Sequence, residues 1–121
     1  MKGAEIYQET AVTTQNKGKL VVMLYDGAIK FLKMAIKGIE AQDPEAKGNY
    51  ITKACDIINE LNAVLDMAAG GEVAMNLRKL YMFMIRHLHE ANMKQDTGKI
   101  EEVIKLLEEL NQSWKAIAIT G

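Results

Sequence analysis

A chain of 121 residues with 49% hydrophobic and 26% charged residues has the size and balance of one globular domain, which excludes wholesale disorder. Its 16 acids against 15 lysines and arginines leave a net charge of −1, so the balance gives no reason to expect nucleic acid or an anionic membrane as partner. One cysteine, Cys55, excludes an intramolecular disulfide and fits a reducing compartment, and no stretch approaches the roughly 20 apolar residues of a membrane span, so no membrane insertion is expected.

Residues 1–15 read as a flap and a link. Ala4-Glu5-Ile6-Tyr7 is followed by polar residues that include Thr10, Thr13 and Thr14. One lysine without an apolar run is not a secretory signal, so the protein is expected in the cytosol. Asn16 is suited to cap the first helix, predicted over 17–42. At about 100° per residue, Leu20, Leu24, Ala28, Phe31 and Ala35 make one apolar stripe. Val21, Tyr25, Leu32 and Ile39 make a second beside it, extended by Val22, Ile29 and Ile36. The polar arc of Lys19, Asp26, Lys30, Lys33 and Lys37 keeps under half of the circumference. That is more apolar surface than a bundle helix normally turns to its core. Either the helix is central and deeply buried, or the second stripe is a groove covered by the Ile6-Tyr7 flap or by a foreign helix. Gly27 costs about 1 kcal/mol against alanine inside a helix, which points to close approach by a neighbouring helix or by a bound segment.

Asp43 caps the second helix, predicted over 44–68, with Pro44 at the first position where its missing N–H costs nothing. Its stripe is Tyr50, Ala54, Ile57, Leu61 and Ala68, broadened by Ile51, Ile58 and Leu65, and Cys55 beside it reads as a small packed residue. Gly70-Gly71 supplies a helix stop. The third helix, over 71–94, carries a stripe of Val73, Leu77, Leu80, Met84, Leu88 and Ala91. Met75, Met82 and Met93 fall together on the opposite side, either as an adaptable binding surface or as scattered surface methionines. Asp96 caps the fourth helix, over 97–117, whose stripe is Ile100, Val103, Leu107, Leu110, Trp114 and Ile117. Connections this short turn each helix back on the last. The expected fold is all-α, a single domain over 1–121: an antiparallel up-down-up-down four-helix bundle with a short N-terminal helical flap.

The residues for chemistry are missing. A di-iron bundle needs Glu-x-x-His on each of two helices, and that spacing does not occur. His87 and His89 are two apart and point to different sides of a helix, so they make no joint metal site. No metal, cofactor or active site is expected. A histidine phosphotransfer bundle using His89 is the enzymatic alternative, although Glu90 makes a poor setting for a phosphate. A structural oligomerisation bundle is the third reading.

Several runs together resemble the FliS-type flagellin export chaperones: Leu24-Tyr25-Asp26-Gly27-Ala28-Ile29 preceded by Tyr7-Gln8, Leu65-Asp66-Met67 leading to Gly70-Gly71-Glu72-Val73-Ala74-Met75-Asn76-Leu77, and Leu107-x-x-Leu110-x-x-x-Trp114. The similarity spans nearly the whole chain. It departs at Asn16-Lys17, where the family commonly begins its first helix with Ser-Pro or Thr-Pro. The resemblance implies a cytoplasmic export chaperone that binds the disordered C-terminal segment of flagellin, prevents premature polymerisation and delivers the subunit to the flagellar type III export apparatus. An export-gate component and a co-chaperone are further candidate partners. It also implies an N-terminal cover, matched here by Ile6 and Tyr7, that moves aside for the client. The residues expected to line the flagellin groove are Tyr25, Ile29 and Leu32 on the first helix with Met75 and Met82 on the third.

Overall fold

The computed structural model of the chain describes residues 17–65 and 67–120, without the side chains of 67–69 and 118–120. It is an all-α four-helix bundle: α1 Lys17–Glu40, α2 Pro44–Ala63, α3 Met67–Lys94 and α4 Thr97–Thr120. The expected cap Asn16 and the flap residues Ile6 and Tyr7 lie outside the described residues. Each helix packs along two others, α1 and α3 each on α2 and α4. Neighbouring helices meet in opposite chain sense. Gly27 and Gly38 of α1 face Ile57 and Lys47 of α2. Asp26 and Lys33 face Asn111 and Glu108 of α4, while His87 and Glu90 of α3 face Glu102 and Lys99 of α4.

The turns at one end repeat a single device. Gln42 sits in the left-handed region at φ 55°, its N–H donates to the Ile39 carbonyl at 3.0 Å, and the Asp43 N–H donates to the Gly38 carbonyl at 2.8 Å. That closes α1 two residues before the predicted end, because a left-handed residue cannot continue the helix. Asp43 then accepts from the Ala46 N–H at 3.0 Å and opens α2, as its place before Pro44 predicts. Gln95 (φ 51°) and Asp96 do the same between α3 and α4. The Asp96 N–H donates to the Ala91 carbonyl at 3.0 Å, and its carboxylate accepts from the Lys99 N–H at 3.3 Å. The helices approach closely here. A Cβ on Gly38 would lie 2.9 Å from the Lys47 backbone nitrogen. Lys47 itself is buried, and its ammonium donates to the Asn92 carbonyl at 2.9 Å in the last turn of α3. A cation there is favoured by the helix dipole and ties α2 to α3.

At the other end the chain departs from expectation. α2 closes at Ala63, where Val64 donates to Glu60 at 3.1 Å and Leu65 to Asn62 at 3.3 Å. Helix resumes at Met67, so Gly70-Gly71 falls inside α3 and does not end α2. Gly71 (φ 53°, ψ −128°) breaks the helical run into a short leading turn and a long body. That backbone geometry is open to glycine and costly for other residues.

The core register on α1 also differs. Val21, Tyr25, Ala28, Leu32 and Ala35 are buried, a regular 4-3 repeat, whereas Leu20 is 43% exposed and Leu24 and Phe31 lie at the margin. The bundle takes the second stripe, joined by Ala28 and Ala35 of the first. On α3 the core side is Ala74, Tyr81, Met84, Leu88 and Ala91, with Leu77 and Leu80 at its edge and Val73 68% exposed. Gly27 faces Ile57, so its small size serves a helix crossing within the bundle. Ile51, Ala54, Cys55, Ile58 and Leu61 of α2 and Ile100, Val103, Ile104 and Leu107 of α4 complete the core.

Candidate partner-binding site

The residues predicted for one groove are not brought together. Tyr25 and Leu32 are fully buried and Ile29 nearly so, which corrects the expectation that they line an open surface. They belong to the α1 stripe that forms the core, and the excess apolar surface of α1 lies on its other flank. Met75 and Met82 are on the outer surface of α3, about half exposed and turned away from the core.

A different apolar opening is present where α1 and α3 begin and α2 and α4 end. It has a volume of about 330 Å³ and an almost wholly apolar wall. Lys17, Gly18 and Val21 come from α1, and Leu61, Val64 and Leu65 from the end of α2. Gly70, Val73, Ala74, Leu77 and Tyr81 of α3 and Trp114 and Ile117 of α4 close it. Val73 and Ile117, exposed by 68% and 55%, stand at the rim. Sequence periodicity missed the site because it is built from helix ends, where no single stripe shows it. The signals available were Gly70-Gly71 and the apolar Val64-Leu65 just before it.

A buried polar contact involves Tyr81, one of the lining residues. The Tyr81 and Tyr25 hydroxyls meet at 2.6 Å across the bundle diagonal, bridging α3 and α1. Their rings stand edge to face at 6.4 Å, and Trp114 lies 6.3 Å from Tyr25. Burial raises both phenols above their ordinary range, with hydrogen bonding from Tyr81 and Trp114 offsetting part of the rise for Tyr25. Both stay neutral hydrogen-bonding groups at physiological pH. Beside them Asn111, buried on α4, donates to Asp26 at 2.8 Å, and Lys115 lies 3.7 Å from the same carboxylate.

His87 and Cys55 lie elsewhere and are engaged. His87 stacks on Phe83 with ring centres 4.9 Å apart and meets the Glu102 carboxylate at 2.6 Å. Burial pushes the Cys55 thiol up to about 11, with Asp56 adding to it, so the sulfur is a packed group and a poor nucleophile. Among the described residues no three His, Cys, Asp or Glu side chains converge as metal ligands. None of the described helices is long and apolar enough to cross a membrane. What the opening can do is take up apolar side chains.

Comparison with known proteins gives this geometry its context. The family model described as flagellar protein FliS matches residues 1–121. The chain belongs to the FliS family. Relatives named flagellar secretion chaperone FliS include that of Salmonella typhimurium, 43% identical over 116 residues that cover 95% of this chain and 86% of the relative. The Bacillus subtilis protein is 38% identical over 109 residues, 90% of this chain and 80% of the relative. Flagellar secretion chaperone FliSB of Pseudomonas aeruginosa is 37% identical over 122 residues, 98% of this chain and 97% of the relative. FliS is a chaperone family and not an enzyme family, which sets aside phosphotransfer through His89.

Proposed function

We propose that this FliS-family chaperone binds the disordered C-terminal segment of flagellin in the cytosol, keeps it from polymerising and hands it to the flagellar type III export apparatus. The observation that carries the reading is the apolar opening at the bundle end, in a chain whose relatives are named secretion chaperones. A segment that folds as it binds must recover its ordering cost through buried apolar area. An open cavity with exposed aliphatic rim residues provides such area. Tyr25, Ile29 and Leu32 act from behind, by fixing the spacing of the helices that form its walls, and Met75 and Met82 extend the contact along α3.

The chain before α1 enters the same picture. Lys17 lines the opening, so the segment carrying Ile6 and Tyr7 is tethered at its mouth and can compete with the client. A competing cover lowers apparent affinity, which suits a client that must later be released. An export-gate component and a co-chaperone would meet the complex on surfaces the client leaves free.

The test is a calorimetric titration of the full chain with a peptide from the C-terminus of the same organism's flagellin. Binding with a large negative heat-capacity change is expected, and no binding at micromolar peptide would sink the reading. Deleting residues 1–10 should leave the bundle folded and tighten peptide binding. Unchanged or weaker binding would count against the cover.

A further inference from the structure

The surface of α3 that faces away from the core has a composition of its own. At about 100° per residue, Met75, Lys79, Met82, Arg86 and Met93 fall within an arc of about 60° directly opposite Leu77, Tyr81, Met84 and Leu88. All five are exposed, and the three methionines are open by 50%, 48% and 76%. The stripe spans about 27 Å of helix at 1.5 Å per residue. It alternates a flexible apolar side chain with a cation, and Arg78 lies just beside it.

These cations stand apart from the ion pairs of the bundle. Ion pairs among the described residues fall on Lys33, His87, Lys99 and Lys115, and Lys79 and Arg86 enter none of them. The acids on the body of α3 do not neutralise the stripe. Glu72 stands at its beginning, and Glu90 is held by Lys99 at 3.0 Å. A protein of net charge −1 therefore carries a locally positive, methionine-studded face. A second copy docking through the same face would set cation against cation. A partner with carboxylates between apolar side chains would match both features.

We infer that the outer face of α3 receives the stretch of client next to the part held in the end cavity, and that this stretch is an acidic amphipathic helix. Its apolar side chains pack on Met75, Met82 and Met93, and its carboxylates pair with Lys79 and Arg86. The inference rests on the client reading above and adds the charge and helical form of one client segment. Methionine suits such a contact because its unbranched chain repacks around different apolar shapes. Rim charges of this kind act mainly on the association rate and make it salt-dependent.

The test uses the full chain, the double variant K79E/R86E and the conservative variant K79R/R86K, each titrated with the labelled C-terminal flagellin peptide at low and high salt. Wild type is expected to bind about five- to tenfold more tightly than K79E/R86E at low salt, with the difference shrinking at high salt. K79R/R86K is expected to bind as wild type does, and the methyl resonances of Met75, Met82 and Met93 to shift on peptide addition. If K79E/R86E binds the peptide within twofold of wild type, the inference fails while the client reading stands. If wild type does not bind the peptide at all, the client reading fails first. If peptide binding is unchanged while K79E/R86E loses binding to anionic phospholipid vesicles, the face belongs to a membrane surface and the inference is overturned.

Discussion

Replacing Tyr25 by phenylalanine removes one of two hydroxyls that meet at 2.6 Å in the interior. The Tyr81 hydroxyl, on a residue 1% exposed, is then left without that partner. An unsatisfied buried donor costs about 1–3 kcal/mol, so Tyr25→Phe should destabilise the fold by that much in urea unfolding. Adding Tyr81→Phe removes the orphan, and the double variant should cost less than the sum of the two single ones. An additive cycle would mean that the bond contributes nothing. Tyr25 also shows the limit of reading a helix face from sequence. Its place beside Asp26 and Gly27, on a helix with two apolar stripes, suited a surface contact as well as a core one. Ala28 and Ala35 of the first stripe lie in the core with the second, and 100° periodicity cannot say which stripe faces inward. Neighbouring helices decide that, through partners as remote in sequence as Tyr81 and Trp114.

The links between helices were far more legible, because each works through local chemistry. Asp43 before Pro44 and Asp96 before Thr97 cap their helices with the bonds their spacing predicts. The cost in these links is also visible at this scale. Gln42 and Gln95 hold left-handed φ values of 55° and 51° that glycine adopts freely. A non-glycine residue there gives up about 1–2 kcal/mol, and glycine returns about 0.5–1 kcal/mol of that through its freer unfolded chain. Gln95→Gly, at an exposed position, should therefore stabilise the bundle by about 0.5–1 kcal/mol, read as a higher urea midpoint with an unchanged slope. A lower midpoint would mean that the Gln95 side chain makes a contact worth more than the backbone strain. The opposite end was less legible. Gly70-Gly71 does mark a break, but whether it ends one helix or kinks the next depends on how the residues after Ala63 pack.

At the scale of the whole molecule, the end cavity joins residues of the core to exposed ones, and the proposed binding can be tested apart from stability there. Its floor, with Tyr81 and Leu61, belongs to the core, and its rim, with Val73, does not. This makes Val73→Glu a discriminating substitution. At 68% exposure the valine contributes little to folding, and glutamate is a good helix former near the N-terminal side of α3, where the dipole favours an acid. Thermal stability should stay within about 0.5 kcal/mol of wild type, as for most surface changes. Binding of the flagellin peptide should weaken about tenfold, or about 1.4 kcal/mol, because the client's apolar anchor would bury a carboxylate that has no counter-charge among the apolar walls. Equal weakening by a charge placed at the far end of the bundle, such as Ala41→Glu in the exposed turn between α1 and α2, would show that the opening is not where the client seats. With wild-type peptide, binding to the folded state alone should raise the unfolding free energy by about 2.7 kcal/mol at a hundredfold excess over Kd. Val73→Glu should lose about half of that gain at the same peptide concentration, since its Kd is tenfold higher and only about a tenfold excess remains. A full gain in the variant would place the anchor elsewhere, with the outer face of α3 the next surface to test.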